Sequence, residues 1–194
     1  MNYLAHLYLA EKTEESILGN FLGDFVKGRL NDQYSHEILK GIVTHRKIDA
    51  YTDSHERVKN CKNLISTKRR RWAGVITDIL FDHYLSCNWS NYSEENLDEF
   101  IDYSYSVLLK NVDIVPDNAK KIIPSLIKNN WLEKYRTVDG ISLVFDRMSK
   151  RVKVENTLKG SEEELVQNYD NLKENFEIFF PQLVDYVEEV RKYI

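Results

Sequence analysis

Apolar residues along this chain recur at three- and four-residue steps rather than in alternation, a spacing that predicts helices almost throughout. A short helix is expected around Leu4–Ala10 and a longer one near Glu14–Lys27, stopped by Gly28. Further helices are expected near His36–Ala50, His55–Ile65 and Arg70–Cys87. Leu97, Phe100, Ile101, Tyr105 and Leu108 form one apolar stripe after a Ser93 cap with Glu94 and Glu95 in the first turn. Pro116 and Pro124 should break the middle of the chain, and Asp139-Gly140 should turn it before Ile141–Arg151. Ser161 with Glu164 is a capping-box pattern opening another helix, which Pro181 should end or kink. There is no alternating strand run flanked by hairpin turns, no internal repeat and no low-complexity segment. The prediction is one all-α domain spanning residues 1–194.

Composition sharpens this. Three prolines and seven glycines leave few compulsory interruptions, which favours long helices. Charged residues are 30% and hydrophobic residues 42%, the balance of an ordinary globular chain. No apolar run approaches the roughly 18 residues that a membrane-spanning helix requires, and Met1–His6 lacks the basic region of a signal peptide. A cytoplasmic chain that does not enter a membrane is therefore expected. Cys61 and Cys87 are too few for a disulfide framework and read as reduced thiols. A net charge of −4 argues against a general nucleic-acid binder. Basic residues do cluster at Lys59, Lys62 and Lys68–Arg71, a run that is commonly a solvated helix start.

Three segments carry polar residues that neither a surface nor a core explains. Asn20 and Asp24 are four apart in an apolar helix, where a carboxylate costs free energy unless bonded, paired or bound to metal. His45, Asp49 and Asp53 recur every four residues beside Arg46 and Lys47, so a His–carboxylate face that suits a divalent metal lies next to cations that suit a phosphate. Asp78 and Asp82 are again four apart on an apolar helix, with His83 adjacent. Each has a bland alternative: a backbone-bonded helix-end Asp, an ion-paired helix face, or a cap in the case of Asp53. Together they offer the ligands of a metal that activates water. His6 and His55 read as a hydrogen-bonded core residue and a first-turn residue, and His36 as a surface residue. Gly19 and Gly23, one turn apart, should let another backbone approach closely. Neither a Gly-x-Ser-x-Gly elbow nor a Gly-rich loop before a Lys is present, which weakens serine-hydrolase and P-loop readings.

At these same residues the sequence resembles the acyl carrier protein phosphodiesterases. The matching blocks are Met1–Leu7, Gly19-Asn20-x-x-x-Asp24-Phe25-Val26-x-Gly28, and Gly41-Ile42-x-x-His45-Arg46-x-Ile48-Asp49-x-x-Thr52-Asp53. Arg70-Arg71, Asp78, Asp82-His83-x-Leu85 and Trp89 continue it, with weaker matches at Trp131-Leu132 and Tyr135-Arg136. The resemblance implies a helical fold related to the His-Asp (HD) phosphohydrolases with altered connectivity, and a divalent metal, expected to be manganese. It also implies release of 4′-phosphopantetheine from holo-acyl carrier protein, a reaction of lipid metabolism. Joined to the three segments, it makes Asp24, His45, Asp78, Asp82 and His83 the expected metal cluster. Asp49 becomes a ligand or orienter, Arg46 the stabiliser of phosphate charge, and Asp24 and Asp49 the catalytic carboxylates. Acyl carrier proteins are acidic, so Lys68, Arg69, Arg70 and Arg71 become a candidate docking patch. Two other readings remain: a metal-dependent phosphohydrolase acting on nucleotides or another small phosphoester, and a non-catalytic helical binding module.

Overall fold

The computed structural model describes residues 1–30 and 33–194. Nine α-helices and three 3₁₀ turns make up the regular structure of the described residues, with no strand among them. Helix α1 (Tyr3–Tyr8) is a short buried segment followed by α2 (Glu14–Leu22), whose first turn is capped by the Thr13 hydroxyl accepting from the Ser16 N–H. Ser35 caps α3 (His36–Ser54) in the same way, and the His55 ring caps α4 (Glu56–Leu64). A 3₁₀ turn, Thr67–Trp72, leads into α5 (Ala73–Cys87), whose buried residues fall on nearly every side because it threads the core. Then follow α6 (Leu97–Lys110), α7 (Asp117–Lys128), α8 (Val138–Arg151) and the long α9 (Glu162–Arg191).

Two pairings position the site. Helices α2 and α3 form the most intimate packing in the fold, set by glycines. A Cβ on Gly19 would fall 2.3 Å from the Ile38 carbonyl oxygen and 2.8 Å from the Gly41 Cα, so the two backbones touch where both residues lack side chains. Helix α1 lies against α2 and α5 and has no side-chain cap of its own. Asp82 on α5 replaces that cap: its carboxylate accepts from the N–H groups of Leu4 (2.7 Å), Ala5 (3.3 Å) and Asn2 (3.3 Å). Negative charge at this helix start also opposes the helix dipole favourably.

The helix pattern holds, with local differences that have physical causes. The second helix ends at Leu22 rather than Lys27: the Val26 carbonyl is taken by the Arg46 guanidinium (2.9 Å), and the chain turns so that Val26 is buried. Gly28 adopts a positive φ of 78°, as a stop residue does. Asn96, not Ser93, caps α6. Pro116 caps α7 and Pro124 lies inside it. Gly140 lies within α8, where a Cβ would meet the Lys134 carbonyl at 2.0 Å, so that glycine serves close packing rather than a turn.

Helix α9 runs through Pro181 and instead departs from helical geometry at Asn168 (φ −122°, ψ 20°), whose side-chain amide donates to the Glu164 carbonyl. A helix-interior proline costs about 3 kcal/mol. The fully buried Phe176, Phe179, Phe180 and Leu183 around it each contribute about 1.5–3 kcal/mol. Burial outweighs the break.

Candidate metal centre

His6 from α1 and His45 and Asp49 from α3 bring their ligand atoms within 4.8 Å of one another. The two imidazoles are stacked, with ring centres 3.7 Å apart and planes inclined by 15°. His6 Nε2 lies 3.1 Å from Asp49 Oδ1, and His45 Nε2 lies 3.2 Å from Asp49 Oδ2, one helical turn away on α3. His45 Nδ1 donates to the Asn20 carbonyl at 2.8 Å, which fixes the tautomer and leaves Nε2 as the free position. Asp24, just past the end of α2, is about half exposed and places Oδ1 3.8 Å from His45 Nε2. Asp78 on α5 lies 3.1 Å from the α-amino group of Met1, which is itself 3.7 Å from Asp49.

Electrostatics follow from this crowding. Burial, reinforced by the charge of His45, lowers the His6 imidazole to about 3, against the opposing hydrogen bond to Asp49. Burial alone would raise Asp49, yet hydrogen bonds from His45 and His6 hold it well below the ordinary carboxylate range. Asp78 is raised by burial against the pull of the Met1 amine. Burial pushes Asp82 up to about 7, opposed by the amine and the three backbone donors. A neutral His6 imidazole beside an ionised Asp49 is the pair of protonation states that a metal requires.

These residues fit a divalent ion. With Nδ1–H committed to Asn20, His45 Nε2 faces a carboxylate oxygen at 3.2 Å, a contact satisfied by a second ring proton or by a cation between them. The buried His6 Nδ1 has no hydrogen-bond partner among the described residues. Two imidazole nitrogens and a carboxylate suit a first-row divalent metal, and their spread is close to the roughly 4 Å separating ligands about 2.1 Å from one ion.

The expected residues distribute unevenly. Asp24, His45, Asp49 and Asp78 gather here, and His6, read from sequence as a core residue, joins them. Both Asp82 oxygens are spent on α1 backbone N–H groups. His83 points another way round α5: its Nδ1 donates to the Tyr135 carbonyl (2.7 Å), and burial lowers its pKa. Cys87, one turn on, lies 3.7 Å from the His83 ring, but burial raises the thiol, so the pair is not a thiolate–imidazolium couple. Arg46 holds the Val26 carbonyl and so pins the turn that carries Asp24. Asp53 pairs with Lys62 (2.8 Å), His55 caps α4 and bonds Gln182, and His36 is exposed.

The basic run is corrected in part. Arg69 is buried, paired with Glu164 and Glu163 (each 3.0 Å) and donating to the Gly160 and Thr157 carbonyls. It joins the 3₁₀ turn to the start of α9. Glu164, read from sequence as half of a capping box, is taken by Arg69 and Ser66, and the Ser161 hydroxyl donates to the Thr157 carbonyl instead of capping the helix. Lys68, Arg70 and Arg71 remain at the surface.

Beside the centre, Asp24 and Asp78 line a cleft of about 750 Å³ that also reaches α7 and the end of α8. No described helix is long and apolar enough to cross a membrane.

Comparison with known proteins agrees with the residue blocks. The family described as "Acyl carrier protein phosphodiesterase" matches residues 1–183. Proteins bearing that name include one from Yersinia enterocolitica, 34% identical over 190 residues (97% of this chain, 98% of the relative). Another, from Klebsiella pneumoniae, is 36% identical over 192 residues (97% and 98%), and one from Enterobacter is 36% identical over 188 residues (95% and 96%). No solved structure matches the chain. A match over nearly the whole length, joined to a His–Asp centre built from the same blocks, places this chain in the acyl carrier protein phosphodiesterase family.

Proposed function

We propose that this protein is a metal-dependent phosphodiesterase that hydrolyses the ester between the phosphate of 4′-phosphopantetheine and a serine of holo-acyl carrier protein. The observation that carries the metal-centred chemistry is the His6–His45–Asp49 set, with His45 Nε2 and His6 Nε2 each facing one oxygen of an ionised Asp49 beside an open cleft. The relatives' name supplies the substrate. His6, His45 and Asp49 would hold the ion, manganese in this reading, with Asp24 and Asp78 beside them. Such an ion acidifies bound water and offsets phosphate charge.

The chain's own groups do the rest. The Asn20 carbonyl orients His45, and the two imidazoles keep Asp49 ionised. Asp24, half exposed at the cleft and close to His45, takes the proton from the attacking water. The water oxygen bonds to phosphorus and the bond from phosphorus to the serine oxygen breaks. That oxygen takes up the proton that Asp24 gained, leaving apo-acyl carrier protein and free 4′-phosphopantetheine and returning Asp24 to its ionised form. Asp82 positions α1 and therefore His6, and Arg46 positions Asp24. His83 braces α5 against the Tyr135 segment. This reading places the protein with its substrate in the cytoplasm, as one functional domain over 1–194.

The test is mass spectrometry of holo-acyl carrier protein after incubation with the protein and manganese. Release of phosphopantetheine by wild type, and its loss in His45→Ala with helical circular dichroism retained, supports the reading. Equal release by the variant overturns the site assignment.

A further inference from the structure

The cleft beside the metal centre is lined by cations as well as carboxylates. With Asp24 and Asp78 it gathers Lys121 from α7, Arg151 at the end of α8 and Lys153 just beyond it. Among the described residues none of the three is in an ion pair. Three like charges around one hollow repel each other, and an anion between them relieves that cost. The Tyr3 hydroxyl shares this lining: burial raises its pKa, Asp24 adds to the rise, and Arg151 opposes it. Phe25, Ile122 and Met148 add apolar surface to the same cleft, which suits an aliphatic chain.

Resting on the phosphodiesterase reading, we propose that Lys121, Arg151 and Lys153 form the phosphate-binding wall of the active-site cleft and that the pantetheine arm lies on the Phe25–Ile122–Met148 strip. The substrate presents one negative phosphate charge and a slim, largely aliphatic arm to the enzyme. A cleft that brings cations and apolar side chains together next to Asp24 and Asp78 matches that chemistry. Arg151 can grip two phosphate oxygens with its fork, whereas the two lysines act as point charges. An acidic surface of the carrier protein needs cations as well, but not apolar side chains among them. These cations belong to the second half of the chain, and they take the phosphate role that the sequence assigned to Arg46, whose guanidinium is engaged by Val26.

The experiment measures binding of free 4′-phosphopantetheine, and of pantetheine lacking the phosphate, by titration calorimetry to wild type, Arg151→Ala and Lys121→Ala/Lys153→Ala. Each protein is tested with manganese and again with chelator. Wild type should prefer the phosphorylated ligand. The variants should lose at least about tenfold of that affinity, the scale of one or two charge-assisted hydrogen bonds, with little change for pantetheine. The KM for holo-acyl carrier protein should rise in step while circular dichroism stays unchanged. The proposal is overturned if wild type shows no phosphate preference or if the variants bind phosphopantetheine as wild type does. It is equally overturned if the variants lose only binding of apo-acyl carrier protein, which would make the wall a protein-docking surface. Turnover by wild type combined with unchanged variants removes this inference alone. Absence of phosphopantetheine release by wild type removes the phosphodiesterase reading beneath it.

Discussion

Gly23 leaves the space that the His45 ring occupies: a Cβ built on Gly23 would fall 2.1 Å from His45 Cγ and 2.4 Å from Cδ2. The glycine spacing Gly19–Gly23 therefore has two jobs on one helix. Gly19 lets α3 approach as backbone, and Gly23 lets α3 insert the His45 ring one turn later.

Gly23→Ala should push His45 off Asn20 and Asp49 while leaving most of the core intact. The expected result is a 10- to 100-fold loss in manganese affinity, as for disturbed ligand support, with a stability loss of about 1–3 kcal/mol from overpacking. Gly19→Ala should instead cost at least as much stability, because the obstruction is backbone, with a smaller effect on metal affinity. Manganese titration alongside urea unfolding separates them. Equal metal affinity in Gly23→Ala and wild type would contradict this role.

His6 should matter as much as His45. Manganese should raise the melting temperature of wild type, since an ion that binds only the folded state stabilises it by mass action. His6→Ala should remove most of that rise, whereas His83→Ala, whose ring bonds Tyr135, should keep it. A manganese-induced rise surviving in His6→Ala and absent in His83→Ala would restore the ligand set expected from sequence.

What could be read from the chain depended on how locally it was encoded. The His45–Asp49 pair is one turn apart on one helix, so spacing alone placed it on a face, and the ion-pair contact follows. His6 is 43 residues from Asp49 and reaches it only because Asp82, 78 residues beyond Leu4, caps α1. No local pattern distinguishes such a histidine from a core one. Asp82 and His83 are neighbours in sequence, yet α5 is buried on most sides, so adjacent residues serve different partners. The capping-box pattern at Ser161–Glu164 failed because a buried guanidinium bound Glu164 more strongly than a helix-end N–H could. Lys121 on α7 and Arg151 at the end of α8 are 30 residues apart and meet at one cleft only in the fold.

The Arg69–Glu164 pair makes stability depend on acidity. Burial would raise the Glu164 carboxyl, but bonds from Ser66 and Arg69 hold it below its ordinary value of 4.5. A carboxyl depressed in the folded state contributes stability that is complete above the unfolded value and lost as pH falls through the folded one. Wild type should therefore weaken below about pH 4.5, and Glu164→Gln should flatten that part of the profile. Removing one partner of a buried pair, as in Arg69→Ala, should cost about 3–5 kcal/mol, while Lys68→Glu at the surface should stay within about 0.5 kcal/mol. Denaturant unfolding between pH 3 and 7 measures both. A profile unchanged in Glu164→Gln would contradict the assignment.

Asp82→Ala should loosen α1 rather than strip a ligand. Three N–H groups lose their acceptor, and each buried unsatisfied donor costs about 1–3 kcal/mol. Amide exchange at Leu4 and Ala5 should accelerate more than at Ile42 or Ile48 on α3. Unchanged protection at Leu4 would show that another group anchors the helix.

The central claim, that a metal held by His6, His45 and Asp49 serves phosphodiester hydrolysis, meets its most direct test in one time course. Holo-acyl carrier protein is incubated with the protein, with and without manganese, and followed by intact-mass spectrometry. Conversion to the apo mass is expected, with free 4′-phosphopantetheine appearing in step, only with metal, and abolished in His45→Ala. Holo-protein unchanged with wild type and manganese, or equal conversion after complete chelation, would contradict it.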